Sequence, residues 1–129
     1  MSFDVGLTCF QNGEPATFPR SLLERVFSSI TDRSNPDEWI LDGGSTLYMG
    51  GGHEITGFAV NRPPEYEEFW QAIMEILRET PSVFYWPGGG CVVANADVAK
   101  HMSAEFIEGL GEPKVVTDPM EILEMIVRS

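Results

Sequence analysis

Basic residues are scarce in this chain: eight Lys and Arg stand against twenty Asp and Glu, for a formal net charge of −12 in 129 residues. So negative a chain repels phosphate backbones and anionic lipid headgroups, which weighs against binding nucleic acid or a membrane surface. Cysteine is nearly absent. Cys9 and Cys91 are the whole complement, and their apolar, strand-like surroundings suit buried free thiols better than a staple. Histidine is as rare, with His53 and His101 alone. They do not form the His-x-x-x-His spacing of a zinc helix, and neither a metal nor another cofactor is expected. No apolar run approaches the length of a membrane span. The opening Met1-Ser-Phe-Asp-Val has no basic segment followed by an apolar one, so no signal peptide is read and a cytoplasmic protein is expected.

What is present is a pattern for one α+β domain. The segment Pro64–Glu79 organises it. Tyr66, Phe69, Trp70, Ile73, Ile76 and Leu77 recur at helical spacing and make one broad apolar face, with Glu67, Glu68, Gln71, Glu75 and Glu79 opposite. Before it, Phe3, Val5, Leu7 and Cys9 alternate with smaller or polar residues, the period of a half-buried strand. A turn at Gln11–Pro15 and a helix over Pro19–Ile30 follow, the latter with a stripe of Leu22, Leu23, Val26, Phe27 and Ile30. A polar loop, Thr31–Asp37, leads to strands Glu38–Leu41, Thr46–Met49 and Ile55–Asn61. Asp42-Gly43 between the first two predicts a type I′ hairpin.

Beyond the central helix, Val83–Trp86 and Cys91–Asn95 flank Pro87-Gly-Gly-Gly90 as a second hairpin, apolar at nearly every position and so expected to be covered on both faces. Short helical turns are expected over 96–110 and a strand over Lys114–Thr117. Asp118-Pro119-Met120-Glu121 carries the capping box and N1 proline of a last helix anchored by Ile122, Leu123, Ile126 and Val127. Hairpins interleaved with about four helices predict a mostly antiparallel sheet with helices packed on it.

Motifs that carry chemistry are few. The glycine clusters at 42–44, 50–52 and 88–90 lack the lysine and the following helix of a phosphate loop, and serve hairpin geometry instead. His53 and Glu54, with Asp42 near them, are the candidate acid–base or ligand-binding group of a small enzyme. His101 and Glu105 are spaced i, i+4 across a break at Met102-Ser103. Glu67 and Glu68 are adjacent on a helix and point about 100° apart, so they cannot converge on one atom as a catalytic pair. In the first turn they complement the helix dipole. As a surface, Asp42, Glu65, Glu67, Glu68 and Glu75 are the candidate contacts for a basic partner, with Tyr85 or Trp86 as an aromatic anchor, since neighbouring strand residues face opposite sides.

The opening Met1-Ser-Phe-Asp-Val with Cys9-Phe-Gln-Asn-Gly-Glu-Pro15, and the later segment from His101 to Val116, resemble a family of short acidic bacterial α+β proteins. These are similar to immunity proteins that neutralise toxins passed between bacteria. The resemblance implies a cytoplasmic, non-enzymatic inhibitor that occludes a basic toxin; a homo-oligomer is compatible with it.

Overall fold

The computed structural model describes residues 4–28, 31–32, 38–49, 52–88 and 90–128, the backbone alone at 31–32. Its strands are β1 (Asp4–Gln11), β2 (Glu14–Pro15), β3 (Phe18–Pro19), β4 (Thr31–Asp32), β5 (Glu38–Leu41), β6 (Thr46–Met49), β7 (Glu54–Ile55), β8 (Gly57–Asn61), β9 (Ser82–Trp86), β10 (Gly90–Val93) and β11 (Lys114–Val115). The α-helices are α1 (Arg20–Val26), α2 (Glu67–Glu79), α3 (Ala104–Leu110) and α4 (Pro119–Val127), with a 3₁₀ segment at Ala96–His101. The chain is an α+β domain.

Strands lie side by side in the order β11-β10-β9-β1-β8-β6-β5-β4, antiparallel except where β11 runs parallel to β10. β2 folds back on β1 through Asn12 and Gly13, both at positive φ, while β3 and β7 form a small ladder of their own. Each strand's alternation sorts its side chains onto two faces. Val5, Leu7, Cys9, Trp39, Leu47, Phe58, Val60, Phe84 and Trp86 share a front core with α1, α2 and α4. Phe10, Val83, Cys91 and Val93 form a second core on the back, with Val98, Met102 and the partly buried Tyr85, Phe106, Ile107 and Leu110.

Helix α2 lies at the centre of the front core. Phe69, Trp70, Ile73, Ile76 and Leu77 are buried as the stripe predicts, and so are Ala72 and Met74, because α1 and α4 also pack on this helix. Trp70 stands edge-on between Phe69 and Phe84, with centroids 4.8 and 5.7 Å away. Its indole Nε1 donates to the Pro64 carbonyl at 3.0 Å.

Several expectations need correction. The helix begins at Glu67, not Pro64: the Pro64 carbonyl accepts from the Trp70 side chain, and residues before proline are pushed out of the helical region. Helix α1 ends at Val26 because Phe27 turns into the core against Phe58 and Phe69; Ile30 is outside the described residues, as are Phe3, 33–37, Gly50 and Gly51. Thr31 and Asp32, read as loop, pair with β5. The strand read as Ile55–Asn61 is broken at Thr56, so that β7 serves β3 and β8 serves β1. At Gly57 a side chain would strike the Leu7 carbonyl, so only glycine permits this approach. In the β5–β6 turn the positive φ values fall on Gly43 and Gly44, not on Asp42, so three residues make the turn and not the type I′ pair. In α4 the capping box forms, but Val127 is 66% exposed and anchors nothing.

Truncating the centre of the front core tests its role. Trp70→Ala should lower stability by about 3–5 kcal/mol, measured by urea denaturation; a change within about 1 kcal/mol would mean that the site collapses without loss.

Candidate binding surface

The sheet ends where the β5–β6 turn meets the connection from β8 into α2. There Asp42, Gly43, Gly44, Ser45, Arg62, Pro63, Pro64, Glu65 and Tyr66 line an open cleft of about 340 Å³. The sequence explains the convergence. Glycines let the turn fold over, Arg62 adopts φ 53°, and the two buried prolines fix the path into the helix. Ser45 is buried and its hydroxyl donates to the Arg62 carbonyl, which locks turn to connection. Asp42 and Glu65, well separated along the sequence, thus line one cleft, with exposed Glu67 and Glu68 on the first turn of α2 just beyond. No ion pair neutralises these four among the described residues.

Tyr66 closes the inner side. Its hydroxyl is buried without a hydrogen-bond partner among the described residues. Burial, then the charges of Asp42 and Glu68, push its pKa up to about 12 from 10.0. These are the surroundings of a negatively charged surface over a partly desolvated phenol.

The other predicted contacts separate from this end. Glu75 is held by Arg25 of α1, Nη1 to Oε1 at 3.1 Å, and Arg25 also reaches Glu79 at 2.9 Å. Glu75 therefore ties α2 to α1 while its side chain stays about half exposed, away from the cleft at the other end of the helix. Trp86 is 2% exposed beside Phe84 in the front core, so it is no surface anchor. Tyr85 points to the back, where its ring meets Phe106 at 5.2 Å and its tip lies over Gly6, 2.6 Å from where a Cβ would stand. Tyr85 is packed beneath α3 and exposes only part of its ring.

His53 and Glu54 do not meet Asp42. Asp42 precedes β6 and His53 follows it, so the strand's length, about 13 Å for four residues, separates them. Glu54 pairs with Pro19, and the His53 carbonyl accepts from the Arg20 amide, which ties this tip to α1. Among the described residues no three of His, Cys, Asp and Glu gather as metal ligands. His101 serves the fold: its Nδ1 accepts from the Asn12 amide at 3.3 Å and its carbonyl from Gly13 at 2.8 Å. Both cysteines are buried, and burial raises both thiols.

No family model, curated protein or solved structure matches this chain. No helix among the described residues is long and apolar enough to cross a membrane.

One surface feature was missed in the sequence. On the back of the sheet the 3₁₀ segment and α3 supply the second core over β9, β10 and the end of β1. Over β8, β6 and β5 no helix among the described residues covers the back, and Tyr48 and Ile40 are 42% and 44% exposed there. The signal was available: Glu38-Trp-Ile-Leu41 and Thr46-Leu-Tyr-Met49 carry large apolar residues at both parities. Only the helix positions decide which parity is covered.

The Tyr66 surroundings give a testable titration. Because its pKa is raised in the folded state, folded protein holds a proton that the unfolded chain releases near pH 10. Stability should then fall as pH rises from about 10 to about 12. In an ultraviolet difference titration Asp42→Asn should move this ionisation toward lower pH while leaving it above 10, since burial is the larger cause. An unmoved titration would show that Asp42 does not act on the phenol.

Proposed function

We propose that this chain is a non-enzymatic, cytoplasmic protein-binding domain whose acidic end docks on a basic protein, most concretely as an immunity-type inhibitor that occludes a toxin. The observation that carries the reading is the gathering of Asp42, Glu65, Glu67 and Glu68 at one end of the domain without neutralising ion pairs among the described residues. Elsewhere Arg25 holds Glu75 and Glu79, Lys100 holds Asp97, and Arg78 donates to the Thr117 carbonyl. Among the described residues Arg62 is the one basic side chain lining the cleft. The net charge of −12 adds a long-range field of the same sign. Such a surface accelerates encounter with a basic partner and discriminates against acidic ones.

The test joins capture to activity. Protein captured from the native host on immobilised wild-type chain should be basic, should arrest growth when expressed alone, and should lose that effect on co-expression of this chain. Changing Asp42→Asn, Glu65→Gln, Glu67→Gln and Glu68→Gln together should slow association by about tenfold or more at low salt and flatten its ionic-strength dependence, measured by stopped flow. Full protection and an unchanged on-rate from the fourfold variant would overturn the assignment of this end.

A further inference from the structure

Among the described residues, the back of the sheet has room for one more helix. Cross-strand pairing puts Glu38, Tyr48, Ala59, Gly6 and Tyr85 in one row, and Ile40, Thr46, Asn61 and Asp4 in the next. Gly57 and Thr8 continue the face on the far side of the first row. Large residues stand at the margins and small ones between them. Thr8, Tyr48, Thr56, Gly57, Ala59 and Tyr85 line a shallow, open trough of about 410 Å³.

Its dimensions follow from the sheet. Three interstrand spacings, about 14 Å, separate β6 from β9. The Tyr85 ring leans over Gly6 and takes the β9 side of that width. About 10 Å is left, the diameter of one α-helix, roughly 10–12 Å with its side chains. The floor of Gly57, Ala59 and Thr8 has no large side chain to hold a helix away. Helix α3 already covers the neighbouring part of this face through Phe106, which touches Phe10 and Tyr85 at 5.2 Å. The vacant position lies beside it.

We infer that this trough seats an amphipathic helix of the basic partner, with small and medium apolar residues on its inner face and Lys or Arg along its flanks. The inference rests on the proposed basic partner and names the element by which it is held. Charge decides the occupant. Glu38 and Asp4 lie in the same two rows as the apolar residues, and Asp42 follows the Ile40 row at the end of β5. Basic flanks meet all three. A second copy of this chain brings a further net charge of −12 to that acidic border and is repelled. Tyr48 and Ile40, exposed and adjacent to carboxylates, are the contacts whose burial excludes water around the charged rim.

The test uses the full chain and two synthetic peptides of identical composition, built from Ala, Leu, Lys and Arg. One is arranged as an amphipathic helix and the other is scrambled to remove the apolar face. Amide shifts are followed by NMR. The amphipathic peptide should perturb Thr8, Tyr48, Gly57 and Ala59 and become helical on binding, while the scrambled one should not reach these positions. Tyr48→Ser, at an exposed site that folding tolerates, should weaken the amphipathic peptide by about tenfold or more, and Ala59→Arg should block it. If both peptides perturb only Asp42, Glu65, Glu67 and Glu68, the trough assignment is overturned while the acidic-end reading stands. If neither peptide perturbs either region, both are overturned.

Discussion

The burial of α2 is the constraint on which everything else in this domain depends. Seven of its side chains, from Phe69 to Leu77, are buried, so the helix needs cover on more than one side. The sheet supplies the base, and α1 and α4 supply the flanks. Rings run in contact from Phe27 through Phe69, Trp70 and Phe84 to Trp86, joining α1, α2 and β9. With three helices committed to the front, the remaining helical segments can cover only part of the back. The half of the back face without a helix among the described residues is thus a consequence of how the front is packed.

The periodic features were legible because they are local. The faces of α2, the alternation of β1, the bounds of β5 and β6, and the capping box of α4 are each set within a few residues. What escaped was set at a distance. Nothing near Glu75 announces that Arg25, fifty positions away, holds it. Nothing near residue 56 announces that the Leu7 carbonyl approaches Gly57 so closely that the strand divides between two ladders. For Tyr85 and Trp86 alternation showed that the two must part, but which of them faces α2 depends on the register with β1.

The candidate surface divides the same way. Acidity at Asp42, Glu65, Glu67 and Glu68 was readable from composition and from the helix pattern. Their meeting at one cleft required the turn, the left-handed Arg62 and the paired prolines to bring two chain segments together. The exposed Tyr48 and Ile40 were hidden by their own pattern. In strands that are apolar at both parities, hydrophobicity states that both faces prefer cover, and cannot state that one lacks it.

Net charge alone would give this protein no direction; the gathering of Asp42, Glu65, Glu67 and Glu68 at one end does. Arg25 and Arg78 are engaged along α2 toward its C-terminal end, where they also suit the helix dipole. The first turn, with Glu67 and Glu68, is left negative. That choice stabilises the helix and, at no further cost in packing, concentrates carboxylates beside the end of the sheet that bears Asp4 and Asp42. Long-range attraction to this end governs how fast a basic partner arrives, and is screened over about 10 Å at 0.1 M salt. How long the partner stays depends on desolvated contact, which exposed carboxylates supply poorly. An acidic end without adjacent apolar surface would therefore give fast and short-lived encounters. On the proposed reading, the half of the back face without a helix among the described residues supplies the second requirement, because the strands that carry Tyr48 and Ile40 lead into the turn that carries Asp42.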